Sequence, residues 1–149
     1  MKKIHYTYIQ AEKDCKMLAK ELSHYKFDWI VTMALGGLVP SCILGKLLNI
    51  KKVQVVPISY YEETQRKEGK PIILANWLIP ENAKVLLIDD IVDTGETMKK
   101  VHNLLIEKNK KVVSVALHYK PDKAYAFKPH YWINKTDKWI IYPWEVNDK

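Results

Sequence analysis

The sequence predicts an α/β fold, a parallel sheet with helices on both faces and a small hood added at the chain ends. Three observations predict it. Short apolar runs alternate with stretches of helical period, the rhythm of strand–helix–strand units. The clearest run, Val85-Leu86-Leu87-Ile88, is apolar at every position, as a strand buried on both faces must be. From about residue 122 to 149 the pattern becomes aromatic and proline-punctuated, which suits a small lobe on the edge or top of the sheet.

Thr7 is a helix cap before Ala11, Cys15, Leu18, Ala19 and Leu22, which recur at helical spacing. Trp29-Ile30-Val31 reads as a short strand running into a Gly36-Gly37 turn. Val39 to Leu48 is a helix with Pro40 in its first turn. Val53 to Ile58 is the next strand. Residues 60–71, polar and bounded by Gly and Pro, form an exposed loop, followed by a strand or strand pair over Ile72 to Leu78. After Val85–Ile88 comes a turn, Asp89 to Thr94. A helix then runs from Gly95 to Asn109, with Met98, Val101, Leu104 and Leu105 on one face. Val112 to Leu117 is a further two-face strand.

With 149 residues the chain reads as one domain, large enough to bury a core without disulfide or metal staples. Cys15 and Cys42 are far apart, have no CxxC context and sit on expected helices. Both are expected to be buried in a reducing compartment. The start lacks a signal-peptide apolar run and no stretch is long enough to span a bilayer, so a cytoplasmic protein without an integral membrane segment is expected. The 24 basic and 17 acidic residues give +7, but no lysine run exceeds two. This charge draws anions without forming the stripe that nucleic acid needs, so no nucleic-acid partner is expected. The histidines show no metal spacing, and His118 and His130 read as packing or surface residues.

The chemistry concentrates in Val85 to Thr97. Ligands of open α/β sheets bind at the carboxyl ends of the strands, and that is where this stretch turns polar. Asp89 and Asp90 stand side by side where the strand is expected to stop. Adjacent carboxylates repel unless a cation or a hydroxyl-rich ligand meets them, and a sugar diol with or without Mg²⁺ does so. Asp93-Thr94-Gly95-Glu96-Thr97 then turns into a helix, where backbone N–H groups and two hydroxyls make an anion cradle. Neither GxGxxG nor GxxxxGK[ST] is present, which removes the dinucleotide and P-loop readings.

The stretch from Val85 to Thr97 resembles the phosphoribosyl-pyrophosphate (PRPP) motif of the type I phosphoribosyltransferases: four apolar residues, two acids, two apolar residues, then D-T-G-x-T. Other segments resemble the xanthine-guanine branch of that family. Leu35-Gly36-Gly37-Leu38-Val39-Pro40 is similar to its RGGLVP pyrophosphate loop, with Leu35 where Arg or Lys is usual; the resemblance implies a cis peptide here and contact with pyrophosphate through Leu35, Gly36 and Gly37. The segment after Ser59-Tyr60, carrying Arg66, Lys67 and Lys70, is similar to the family's flexible loop that closes over PRPP. Tyr119-Lys120-Pro121 is similar to A-K-P, whose Lys meets purine O6. Trp139-Ile140-Ile141-Tyr142-Pro143-Trp144-Glu145 is similar to W-I-x-x-P-W-D, with Ile141 for Glu and Glu145 for Asp.

The resemblance implies a purine salvage enzyme that joins guanine, xanthine or hypoxanthine to PRPP with Mg²⁺, giving GMP, XMP or IMP and pyrophosphate. It implies ribose or metal contact by Asp89 and Asp90, a proton-handling Asp93, and a 5′-phosphate cradle from Asp93 to Thr97. Purine contact is implied for Lys120, Trp139, Ile140 and Glu145, with Trp139 stacking and Trp144 packing. A homodimer or homotetramer is implied too. The alternatives are a PRPP-binding regulator without transferase activity and a transferase for another base.

Overall fold

The computed structural model describes residues 2–60, 71–73, 76–108 and 111–146. Its elements in chain order are β1 (Lys3–His5), α1 (Tyr8–Glu21), β2 (Trp29–Ala34), α2 (Leu38–Leu47), β3 (Val53–Tyr60) and β4 (Pro71–Ile73). They continue with β5 (Lys84–Val92), α3 (Glu96–Glu107), β6 (Lys111–Tyr119), β7 (Tyr131–Lys135) and β8 (Trp139–Ile141). The main sheet has the order β4-β3-β2-β5-β6-β7. Every neighbour pair in it is parallel except β3–β4.

Strand alternation assigns the two layers. Successive side chains of a strand point to opposite faces. Ile30, Leu86 and Ile88 therefore pack with Ala11, Cys15 and Leu18 of α1 and Leu44 of α2. Val31, Val85 and Leu87 pack on the other face with Met98, Val101 and Leu105 of α3. Leu86 and Leu87 are both fully buried, and burying each contributes roughly 1.5–3 kcal/mol. Breaking Val85–Ile88 with a charge would thus damage two cores at once.

Thr7 caps α1 as the sequence predicts. Its hydroxyl accepts the Gln10 N–H at 3.1 Å, and the Gln10 side chain accepts the Thr7 N–H at 2.8 Å, a reciprocal capping box. Several expectations are corrected. β5 does not stop at Asp89; it runs on to Val92, because its neighbour β6 extends to Tyr119 and keeps pairing with it. The turn is therefore shorter and lies at 93–95. Of the expected 72–78 strand, residues 72 and 73 lie in β4, which is antiparallel to β3; the described residues 76–78 are not strand, and 74–75 lie outside the described residues. Cys15 is buried, and burial pushes its thiol up to about 12, but Cys42 on α2 is exposed.

The aromatic C-terminal stretch divides in two. Tyr131–Lys135 extends the main sheet beside β6. Trp139–Ile141 instead pairs in parallel with Lys3–His5, so the two ends of the chain close one small two-stranded hood. No local signal marks Lys3-Ile4-His5 as a strand; its partner lies at the other end of the chain. Among the described residues no helix is long and apolar enough to cross a membrane.

Candidate active site

The acid pair is on β5, one residue pointing to each face. Asp90 is buried at 7% exposure, and its N–H donates to Asp89 Oδ1 at 2.8 Å. Burial raises both carboxyls above their ordinary range, and for Asp89 the neighbouring Asp90 charge adds to the rise. Trp144 Nε1 donates to Asp90 Oδ2 at 3.2 Å. The pair opens into a cleft of about 410 Å³ lined also by Ala34, Gly36, Thr97 and Glu145.

Two turns follow the neighbouring strands β2 and β5; Gly36 of the first lines the cleft, and the second leads into α3, whose Thr97 lines it. Gly36 packs against Asp90 so closely that an added Cβ would lie 2.5 Å from Asp90 Oδ2. Gly37 is equally confined: its Cβ would collide with Thr32 Oγ1 and lie 2.8 Å from the Ile88 carbonyl. The Ala34–Leu35 peptide is cis, as the family resemblance implied, and the Leu35 side chain is 78% exposed. The second turn is Asp93–Gly95. Gly95 has φ +85°, a left-handed conformation that side chains resist, and an added Cβ would lie 2.6 Å from the Phe127 N. Neither α2 nor α3 has a side-chain cap on its cap residue, Gly37 or Gly95. Thr94 Oγ1 accepts a long hydrogen bond from the Glu96 N–H at 3.4 Å, which shapes the turn locally.

The segment after β6 locks onto the 93–96 turn. Lys123 Nζ lies 3.1 Å from Asp93 Oδ1 and 3.2 Å from Oδ2. The Ala126 N–H donates to the Thr94 carbonyl at 3.0 Å, and the Tyr125 hydroxyl donates to Glu96. Lys120 is buried at 5% exposure, with its Nζ 3.9 Å from Asp93 Oδ1 and 5.8 Å from the Trp139 ring centroid. A buried ammonium needs such partners. Trp139 itself is half-exposed, so one surface of the indole remains open to solvent.

The structure thus brings together Asp89, Asp90, Thr97, Gly36 and Glu145 around one cleft, and Asp93, Lys120 and Trp139 beside it. It does not bring the Ile140 side chain there: Ile140 is buried in the core. Glu145 Oε2 accepts the Tyr142 N–H at 3.1 Å, which folds the 142–145 turn. Ser59 and Tyr60 end β3. Arg66, Lys67 and Lys70 of the expected flexible loop lie outside the described residues. Sequence reasoning missed two residues. Trp144 is a hydrogen-bond donor to the acid pair as well as a packing group, and Lys123 is the main cation on Asp93. Both contacts span the fold and leave no spacing signal. His118 and His130 are held by Tyr142 and Ser114, in keeping with packing roles.

A divalent cation fits the acid pair only with outside help. Among the described residues no group of three or more His, Cys, Asp or Glu side chains could hold a metal. Asp89 and Asp90 offer hard oxygen ligands of the kind Mg²⁺ takes, and substrate oxygens and water would supply the rest.

This architecture is that of the parallel-sheet α/β proteins whose sites lie at the carboxyl ends of the strands. Residues 5–149 match the phosphoribosyl transferase domain family, and the chain belongs to it. A xanthine-guanine phosphoribosyltransferase from Gluconobacter oxydans (strain 621H) is 33% identical over 96% of this chain and 86% of its own length. Among solved structures, a purine phosphoribosyltransferase from Pyrococcus horikoshii Ot3 superposes with a TM-score of 0.81 at 30% identity, covering 97% of this chain and 95% of that one. A Neisseria gonorrhoeae protein with bound ppGpp superposes at 0.80 with 26% identity, over 99% of this chain and 91% of that one.

Proposed function

We propose that this chain is a purine salvage phosphoribosyltransferase that converts PRPP and a 6-oxopurine to the nucleoside 5′-monophosphate and pyrophosphate. The observation that carries the reading is the position of Lys120, buried with its ammonium facing both Asp93 and Trp139: Asp93 and Lys120 directly follow β5 and β6, and Trp139 opens β8. A flat ring lying on Trp139 would present a carbonyl oxygen to the ammonium and a ring nitrogen to the carboxylate. An exocyclic amine in place of that carbonyl would meet Lys120 donor to donor, which disfavours adenine.

In this reading base N9 forms the bond to ribose C1′ as the bond from C1′ to pyrophosphate breaks. Asp89 and Asp90 bind the ribose hydroxyls, directly or through Mg²⁺. Their negative charge favours the cationic sugar that develops between the two bonds. Mg²⁺, when bound, would neutralise the pyrophosphate and so improve it as a leaving group. The 93–97 turn holds the 5′-phosphate by backbone N–H groups and the Thr94 and Thr97 hydroxyls. Glu96 is turned aside by Tyr125 and does not oppose that anion. Asp93 handles the proton at purine N7, and Lys123 must yield some of its contact for this to happen. Gly36 and Gly37 admit pyrophosphate close to the backbone. Most of the rate comes from alignment and charge, since the chain supplies no covalent intermediate.

The test is pyrophosphate release from PRPP and Mg²⁺ with guanine, xanthine, hypoxanthine, adenine and uracil supplied separately. Turnover with one or more 6-oxopurines, and none with adenine or uracil, is the expected result. PRPP binding without turnover on any base would overturn the transferase reading in favour of a PRPP-binding regulator.

A further inference from the structure

Building on that transferase reading, we infer that Trp144 and Tyr142 are positioning residues that hold Asp90 and tie it to the hood strand bearing Trp139. Two hydrogen bonds reach Asp90 from this segment. The Trp144 indole N–H meets the carboxylate at 3.2 Å, and the Tyr142 hydroxyl meets the Asp90 backbone carbonyl at 3.2 Å. One donor therefore fixes the side chain and the other fixes the strand beneath it.

The two donors form one rigid unit. Their rings stack at 4.8 Å with only 13° between planes. Tyr6 closes the stack edge-on, 5.6 Å from Tyr142 and 6.3 Å from Trp144. Tyr6 is itself anchored to α1 by its 2.6 Å bond to Asp14, and Tyr142 bonds to His118 Nδ1 at 2.8 Å. Gly36 packs directly on the Asp90 carboxylate as well. The carboxylate is thus confined by a close backbone and an indole donor, with little rotamer freedom left.

The clasp also has a direction. Trp139 stands on β8, and Tyr142 follows the end of that strand directly. The residue proposed to stack on the base and the residues that orient the acid pair therefore belong to one short segment, anchored in the core by Ile140 and Tyr142. A shift of β8 on base binding would be felt at Asp90, and by linkage PRPP binding would be felt at Trp139.

Calorimetric titration of PRPP with Mg²⁺ into the protein, without any base, tests the clasp independently of turnover. Trp144→Phe keeps a packing ring and removes the donor. It should weaken PRPP binding about tenfold, the size expected for a hydrogen bond to a charged group. Tyr142→Phe should weaken it about fivefold. In an Asp90→Asn background the Trp144→Phe change should add less than twofold, because its target charge is gone. Melting curves and near-ultraviolet circular dichroism confirm that each variant is folded at the titration temperature. Two results would overturn the inference. One is binding by Trp144→Phe within twofold of the parent. The other is an equal loss with and without Asp90, which would mark Trp144 as packing alone. Failure of the parent protein to bind PRPP would sink the transferase reading itself, a separate outcome.

Discussion

Helices α1 and α3 both begin with polar residues, yet they use them in opposite ways. At α1 the Thr7 and Gln10 side chains satisfy each other's backbone N–H groups. Behind them Tyr6, Asp14 and Asn134 form a further closed set of hydrogen bonds. At α3 the cap is Gly95, which has no side chain to offer. Its turn is held from outside, by Lys123, Tyr125 and Ala126, and the helix end borders the acid cleft. The first helix end is closed on itself, and the second is the one proposed to receive the 5′-phosphate. What separates them is where the holding contacts come from: the helix's own first turn at α1, and a distant segment of the chain at α3.

The contrast breaks most severely at Asp93. Asp93→Asn keeps the size of the side chain and removes the proposed proton acceptor. It should lower kcat by roughly 10²–10⁴-fold while PRPP affinity changes little. Steady-state kinetics alongside PRPP titration decides this, and an equal loss of both would argue against a proton role.

Gly95→Ala should follow. It forces a Cβ into a left-handed position and against the Phe127 backbone, a cost of about 3 kcal/mol or more in a denaturant melt.

The closed end has a weakness of its own, which is acid. Burial, opposed by Asp14 and assisted by Lys120, lowers His118 from its ordinary 6.5 to about 4. Between those values the unfolded chain takes a proton that the folded chain refuses. The contribution of His118 to stability is therefore full above about pH 6.5 and falls as pH drops towards 4. The total loss is about 3 kcal/mol at most. Melting midpoints across that window should flatten in His118→Gln.

Thr7→Ala should cost about 1 kcal/mol and leave turnover unchanged, because that cap serves only the helix.

The smallest effect belongs to the other glycine turn. Leu35 is exposed where the related loop carries a cation, so Leu35→Lys should tighten PRPP binding by no more than about fivefold without moving the melting point.

Much of this was legible in the linear sequence. Val85–Ile88 could only be a two-face strand, and the 93–97 turn could only open a helix, because apolar period and turn chemistry are local properties. Thr7 was marked as a cap by its place just before the helical spacing, while the answering bond from Gln10 emerged only in the structure. The acid pair, the Gly36-Gly37 loop and Lys120 were each marked by the residues beside them. Other features had no such mark. Asp89 and Asp90 looked like the end of a strand, but β6 carries the pairing on to Val92. Lys3–His5 became a strand only because Trp139–Ile141 lies beside it. Trp144 reaches Asp90 across 54 positions of sequence, and Lys123 reaches Asp93 across 30. The sequence by itself determined the three helices, the central strands and the polar turn that opens α3. The tertiary structure alone decided which side chains from separate strand ends meet. Those contacts exist only after the sheet has stacked its strands in register and the chain ends have closed the hood.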